Sequence, residues 1–191
     1  MPNLQDLLAD LTSGDESCAE AAVPLLLWMD AEAVPALVDL TRSPEVDSRW
    51  WALRVLASSP HCQSRWLAPF LNDPAPEVRQ CAALGLAIKP DESALQPLIG
   101  ALNDDDSMVG SLAANALVKI GSAAVPSLID AVKQGPQSQR IHALRALAEI
   151  RDHRAIPIMM QVMQEDSALL QHWAKEGLER LGLDMIYIKP L

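Results

Sequence analysis

The sequence predicts an all-α solenoid of about six two-helix repeats, and three observations lead there. First, half of the 191 residues are hydrophobic, yet there is only one Phe and one Tyr. Ala, Leu and Val dominate, small side chains that suit closely packed helices better than sheets. Second, Ala/Leu pairs four residues apart recur at Ala52/Leu56, Ala82/Leu86, Ala113/Leu117, Ala143/Leu147 and Ala174/Leu178, with Ala-to-Ala steps of 30, 31, 30 and 31 residues. Ala22/Leu26 extends the series upstream. Self-similarity at such a period marks a repeat architecture. Third, Pro35, Trp66, Pro97, Pro126 and Pro157 form a second series, spaced by 31, 31, 29 and 31 residues.

Each unit therefore reads as a first helix beginning near Pro, a short polar turn, and a second helix carrying the Ala/Leu pair. Proline suits the first turn because its missing N–H has no intrahelical partner there. The implied units are 1–30, 31–60, 61–90, 91–121, 122–152 and 153–182 of a single repeat domain. Pro24 falls inside the second helix of the first unit and is expected to bend or shorten it. Gly85 and Gly177 precede their Leu residues inside helices, where Gly costs roughly 1 kcal/mol. Another helix is expected to pass close at both points. The turns read Thr41-Arg42-Ser43-Pro44, Asn72-Asp73-Pro74, Asn103-Asp104-Asp105-Asp106-Ser107, Gln134-Gly135-Pro136 and Gln164-Glu165-Asp166-Ser167. Asp and Ser at such points cap helices. The Asp104–Asp106 run lacks the alternating ligands and distal Glu of a calcium loop. The tail 183–191 lies outside the period and is expected to fold back as a terminal cap.

The formal net charge of −10 and pI of about 4.7 oppose binding to nucleic acid or to anionic membranes. The start has no basic, apolar leader pattern. Residues 21–29, the longest apolar run, are too few to span a bilayer. Cys18, Cys62 and Cys81 show no C-x-x-C spacing, so free thiols in a reducing cytoplasm are expected, without a metal framework or cofactor.

The run Asn72-Asp73-Pro74-Ala75-Pro76-Glu77-Val78-Arg79, followed by Ala82-Ala83-Leu84-Gly85-Leu86, resembles the HEAT-like repeat named after phycobilisome (PBS) lyases. The resemblance covers nearly the whole chain. It implies a right-handed α-α superhelix of about six HEAT-like helix pairs, armadillo-like, with second helices lining the concave face. It also implies an Asp/Arg ladder between neighbouring repeats. Asp73 and Arg79 match its two positions. Arg49 and Arg140 keep the Arg, but Ser43 and Gln134 stand at the turn position. Asp104 keeps the acid, while Gly110 replaces the Arg.

With Ala52 and Leu56 inward, a 100° advance per residue fixes the outward rows. One is Arg54, Leu84, Asn115, Arg145, Glu176. Its neighbours are Trp50, Gln80, Ser111, Ile141, His172 and Trp51, Cys81, Leu112, His142, Trp173. Trp and Arg dominate binding energy at many interfaces. Trp50, Arg54, Leu84, Asn115, Ile141, Arg145 and Trp173 are thus the candidate partner-binding residues. The main reading is a non-catalytic protein-protein interaction scaffold or adaptor. The alternative, implied by the resemblance, is a bilin lyase or isomerase that delivers a tetrapyrrole to a partner cysteine, with Arg54 or Arg145 near the propionates. An iron hydroxylase of related repeats would need His-Glu dipeptides, which the sequence lacks. A DNA glycosylase would need a basic channel. Phosphate-loop and nucleophile-elbow motifs are missing, and adjacent His61-Cys62 would point about 100° apart on a helix.

Overall fold

The computed structural model describes residues 2–165 and 167–183, and the expected cap at 183–191 lies almost wholly outside them. The chain forms two compact units, one ending at Lys89 and the other beginning at Pro90.

In the first unit, α1 (Leu4–Leu11) opens on a reciprocal capping box between Asn3 and Asp6 and buries Leu7 and Leu11. Asp15 caps α2 (Glu16–Met29), accepting from the amides of Ser17 and Cys18. Pro24 leaves α2 a full 14 residues, so the expected shortening does not occur. Pro24 and Glu20, whose carbonyl loses its helical donor, are both exposed residues, so the missing bond falls on the solvent side of the helix. Next come α3 (Ala33–Leu40), α4 (Val46–Ser58), the single turn α5 (Ser64–Leu67) and α6 (Pro76–Ile88). Pro69 stands where α5 would continue, and the chain runs on as a 3₁₀ segment over Ala68–Asn72. Helix α1 packs on α2, α3 on α4, and α4 lies between α2 and α6.

The second unit contains α7 (Leu95–Ala101), α8 (Ser107–Ile120), α9 (Val125–Gln134), α10 (Gln137–Ile150), α11 (Ile156–Val162) and α12 (Ala168–Arg180). Each first helix is entered through a 3₁₀ turn, at Glu92–Ala94, Gly121–Ala124 and His153–Ala155. Asp91 and Asp152 cap two of these turns through the amides of Ser93 and Arg154. Asp106 caps α8, accepting from Met108 and Val109. The stretch Ser107–Gln134 is long and apolar enough to cross a membrane by composition, but Gly121, at φ +79°, divides it into two helices. Helix α10 packs against α8, α9 and α12.

The periodic Ala and Leu residues are the core. Ala52, Leu56, Ala82, Ala113, Leu117, Ala143, Leu147, Ala174 and Leu178 are all fully buried, and each buried Leu contributes about 1.5–3 kcal/mol. The glycines mark close approaches, as expected. A Cβ on Gly85 would stand 2.9 Å from Ala57 Cβ and from Leu67 Cδ1. One on Gly177 would stand 2.5 Å from Met159 Cε.

Ion pairs, buried in the first unit and half-buried in the second, tie one helix pair to the next within each unit. Arg49, whose own turn offers only Ser43, reaches forward instead: its Nε and Nη2 donate to Asp73 at 2.8 Å each. Its Nη1 donates to the carbonyls of Ser43 and Pro44 at 3.0 and 2.9 Å. Arg79, at the ladder position matching Asp73, donates to the backbone carbonyl of Asp73 at 2.9 Å. Arg140 likewise finds its acid ahead, pairing with Glu165 at 2.6 Å. Where Gly110 replaces the Arg, the His142 ring fills the space, with Nε2 2.9 Å from a would-be Cβ.

Candidate functional site

In the first unit, α4 presents Trp50, Trp51 and Arg54, and α6 presents Cys81 and Leu84. Trp50 and Trp51 meet edge to face, with ring centroids 4.9 Å apart. The Arg54 guanidinium lies 5.3 Å from the Trp50 ring and 4.9 Å from the Trp51 ring, within cation–π range. Its Nη1 also pairs with Glu20 of α2 at 2.7 Å. Glu20 was not among the sequence candidates, although extending the row of Trp50, Gln80 and Ser111 one period upstream lands on it. Leu84 is 51% exposed, a large apolar side chain facing solvent. Cys81 is not a nucleophile, because burial pushes its thiol up to about 12.

In the second unit, α8 supplies Ser111 and Asn115, α10 supplies Ile141, His142 and Arg145, and α12 supplies His172 and Trp173. Arg145 repeats the geometry of Arg54: each reaches back 34 residues to the preceding second helix. Arg54 meets a carboxylate there, whereas Arg145 Nη2 meets the carbonyl of Ser111 at 2.8 Å and Asn115 Oδ1 at 3.2 Å. No carboxylate among the described residues pairs with Arg145, so its charge is held in place by neutral acceptors. Burial draws its pKa down, and Glu149 partly counters that. His142 lies beside it with Nδ1 buried and without a hydrogen-bond partner among the described residues. Burial first, and then Arg145, lower the His142 pKa, which favours the neutral ring. Ile141 and Trp173 are half-buried, and Trp173 meets His172 at a centroid distance of 5.3 Å. Trp50, Arg54 and Leu84 thus belong to one unit, and Asn115, Ile141, Arg145 and Trp173 to the other.

Sequence reading also missed the surroundings of His61. The Asp30 carboxylate accepts from Ser59 Oγ at 2.6 Å and contacts His61 Nδ1. Asp30 is held at φ +32°, uncommon for a residue with a side chain. The Ser59 bond, opposed by desolvation and joined by His61, holds the Asp30 carboxyl below its usual value. The neighbouring Cys62 is buried, and its thiol pKa is raised. No cluster of ligands suited to a metal ion occurs among the described residues.

Antiparallel helix pairs packed in series, with buried Ala/Leu seams and forward-reaching arginines, define an α-α repeat protein of the armadillo-like class. Residues 64–141 match the HEAT repeats family and residues 139–165 match the PBS lyase HEAT-like repeat. The chain is a HEAT-repeat protein of the PBS lyase HEAT-like type. It is 34% identical over 91 residues to the bilin biosynthesis protein RpcF of Synechococcus sp. strain WH8020, covering 47% of this chain and 44% of that one. It is 30% identical over 107 residues to the phycocyanobilin lyase subunit beta of Nostoc sp. strain PCC 7120, covering 56% and 54%. These matches span about half the length of either relative. The solved complex of CpcE and CpcF of phycocyanin lyase from Nostoc sp. PCC7120 contains a chain of the same fold, with a TM-score of 0.56 at 20% identity over 95% of this chain and 78% of that one.

Proposed function

We propose that this chain is a bilin-handling protein of the lyase type, acting on a phycobiliprotein-like partner. The observation that carries the proposal is its likeness to two proteins named for bilin biosynthesis and bilin attachment. Of the two readings the sequence offers, that likeness favours the lyase over the scaffold. Binding of a protein partner belongs to both.

Elementary chemistry supports the reading further. A bilin is a long conjugated tetrapyrrole with two propionates, so its site needs an apolar wall and at least one available cation. Arg145 meets the second need better than Arg54, whose charge is already matched by Glu20. Ile141 and Trp173 on neighbouring helices supply apolar surface in the same unit. Cys62 and Cys81 are held protonated by burial, and Asp15 raises the pKa of the exposed Cys18, so none of the three is an activated thiol and the one that adds to the bilin is assigned to the partner. The reaction then calls on this chain to bind and orient the bilin. A cytoplasmic setting, where the free thiols stay reduced, accords with this role.

The test is titration of phycocyanobilin into the purified chain, followed by addition of a colourless phycobiliprotein subunit. Binding is expected to change the long-wavelength absorption band. Arg145→Gln is expected to weaken binding by about tenfold, the loss of one charge-assisted contact. Unchanged absorption together with intact capture of a protein partner would return the scaffold reading to first place.

A further inference from the structure

The charge of this protein is unevenly distributed. Residues 1–48 hold ten Asp and Glu against a single Arg, a balance of −9 out of the −10 of the whole chain. That one arginine, Arg42, is already paired with Asp39. The acidic segment ends directly at the Trp50/Trp51 pair. Between the two lies a cavity of about 450 Å³, set between the α1–α2 connection and the first half of α4. Leu11 and the two indoles supply its apolar surface, and Glu16, Glu45 and Asp47 stand on its walls.

None of these three carboxylates forms a salt bridge among the described residues, and Glu45 alone feels a nearby cation, Arg49, through a minor charge interaction. Arg49, close to Glu45, spends four of its five N–H donors on Asp73 and on the carbonyls of Ser43 and Pro44, and none of its hydrogen bonds goes to Glu45. The same indole pair already holds one cation elsewhere on its surface. Arg54 lies against both rings and is matched by Glu20, and it is not among the residues lining the cavity. The molecule therefore carries, within itself, an occupied example of aromatic rings plus a carboxylate holding a guanidinium. The cavity repeats that chemistry with its carboxylates unmatched.

We propose that this cavity docks a basic segment of a protein partner, with one Lys or Arg side chain entering between Trp50/Trp51 and the Glu45/Asp47 wall. Charge complementarity selects the occupant. An anionic or neutral apolar segment would leave three carboxylates facing it uncompensated, whereas a cation gains cation–π contact and charge pairing together. The surrounding field of −9 steers such a segment toward the site and makes the association sensitive to salt. The cavity is lined by residues of the first unit alone, Arg145 is not among them, and the proposal does not rest on whether a bilin is bound.

The experiment uses the full chain and a synthetic octapeptide of alternating Lys and Ala, with its Glu/Ala counterpart as control. Binding is followed by tryptophan fluorescence and calorimetry at low and moderate salt. The Lys peptide is expected to bind, the Glu peptide not to bind, and added salt to weaken the complex. Glu45→Gln with Asp47→Asn is expected to weaken binding by about tenfold, the combined loss of two partly exposed charge pairs. Asp10→Asn with Glu32→Gln removes the same charge from outside the cavity and should weaken it by less than about twofold. Arg145→Gln should leave peptide binding unchanged. Equal losses from the two double variants would assign the binding to the diffuse field and overturn the cavity. Failure of the native chain to bind the Lys peptide at low salt would also overturn it.

Discussion

Replacing Asp73 with Asn removes a charge but almost no volume, which makes it the sharpest probe of what joins successive helix pairs. Asp73 is 9% exposed and receives two guanidinium N–H donors at 2.8 Å and the Ala75 amide at 2.9 Å. In Asp73→Asn, one oxygen still accepts, while the other becomes an NH₂ facing the Arg49 guanidinium. The variant loses one charge-assisted bond, worth about 1.5–3 kcal/mol, and leaves a buried cation unmatched, so a total of about 2–4 kcal/mol is expected. The assay is urea unfolding followed by tryptophan fluorescence, because four of the five Trp residues lie before Lys89 and report on the unit that holds the pair. With a slope of about 1–1.5 kcal/mol per molar urea for a unit of this size, the midpoint should fall by about 2 M. Combining Arg49→Met with Asp73→Asn should recover part of the loss, since no buried charge is then stranded. Acid unfolding gives a second readout. Desolvation pushes the Asp73 carboxyl up, but Arg49 and the Ala75 amide more than offset it, and its folded pKa lies below the usual value. Its stabilisation is therefore fully present above the unfolded pKa of about 3.9 and is lost as pH falls through the folded value. Asp73→Asn should flatten that acid-side loss. A midpoint shift under about 0.3 M would refute the argument that this pair fastens one helix pair to the next.

Three further outcomes follow from the packing and the thiols. Gly85→Ala should destabilise the first unit by about 1–2 kcal/mol in thermal unfolding, because overpacking against Ala57 and Leu67 exceeds the gain in helix propensity. Gly100→Ala should stabilise by about 0.5 kcal/mol in the same assay, since a Cβ there meets nothing within 4 Å in the last turn of α7. Titration with a thiol reagent at pH 8 should modify exposed Cys18 first. That reaction should be slower than for a free thiol, because Asp15 and a lesser desolvation raise its pKa. Cys62 and Cys81 should react only on unfolding.

The core was legible because it is periodic. A residue type returning every 30 or 31 positions and fully buried at each return, as Ala52, Ala82, Ala113, Ala143 and Ala174 are, needs no tertiary knowledge to recognise. Contacts that cross from one period to the next were harder. Arg49 read as lacking an acid because its own turn holds Ser43, yet its partner stands 24 residues ahead. The Arg54–Glu20 pair spans 34 residues and was missed for the same reason. Pro24 misled through a rule about helix interiors that weakens when the freed carbonyl falls on the solvent side of the helix. Pro69 went unremarked, although it turns the end of a first helix into a 3₁₀ segment. At the candidate site, outward rows picked out Trp50, Arg54 and Arg145. Only coordinates reveal that one arginine is matched by a carboxylate and the other is not.

The forward reach of buried Arg49 to Asp73 gives this one junction a polarity under truncation, which the more exposed, backward-reaching Arg54–Glu20 pair opposes only weakly. Trimming modules from the amino side releases a carboxylate at a turn that then opens to water, where an ionised acid is at home. Trimming from the carboxyl side strands a guanidinium on a helix packed against its neighbours, where it has no anion to answer it. Truncation between Arg49 and Asp73 should therefore be tolerated better by the piece that keeps Asp73 than by the piece that keeps Arg49.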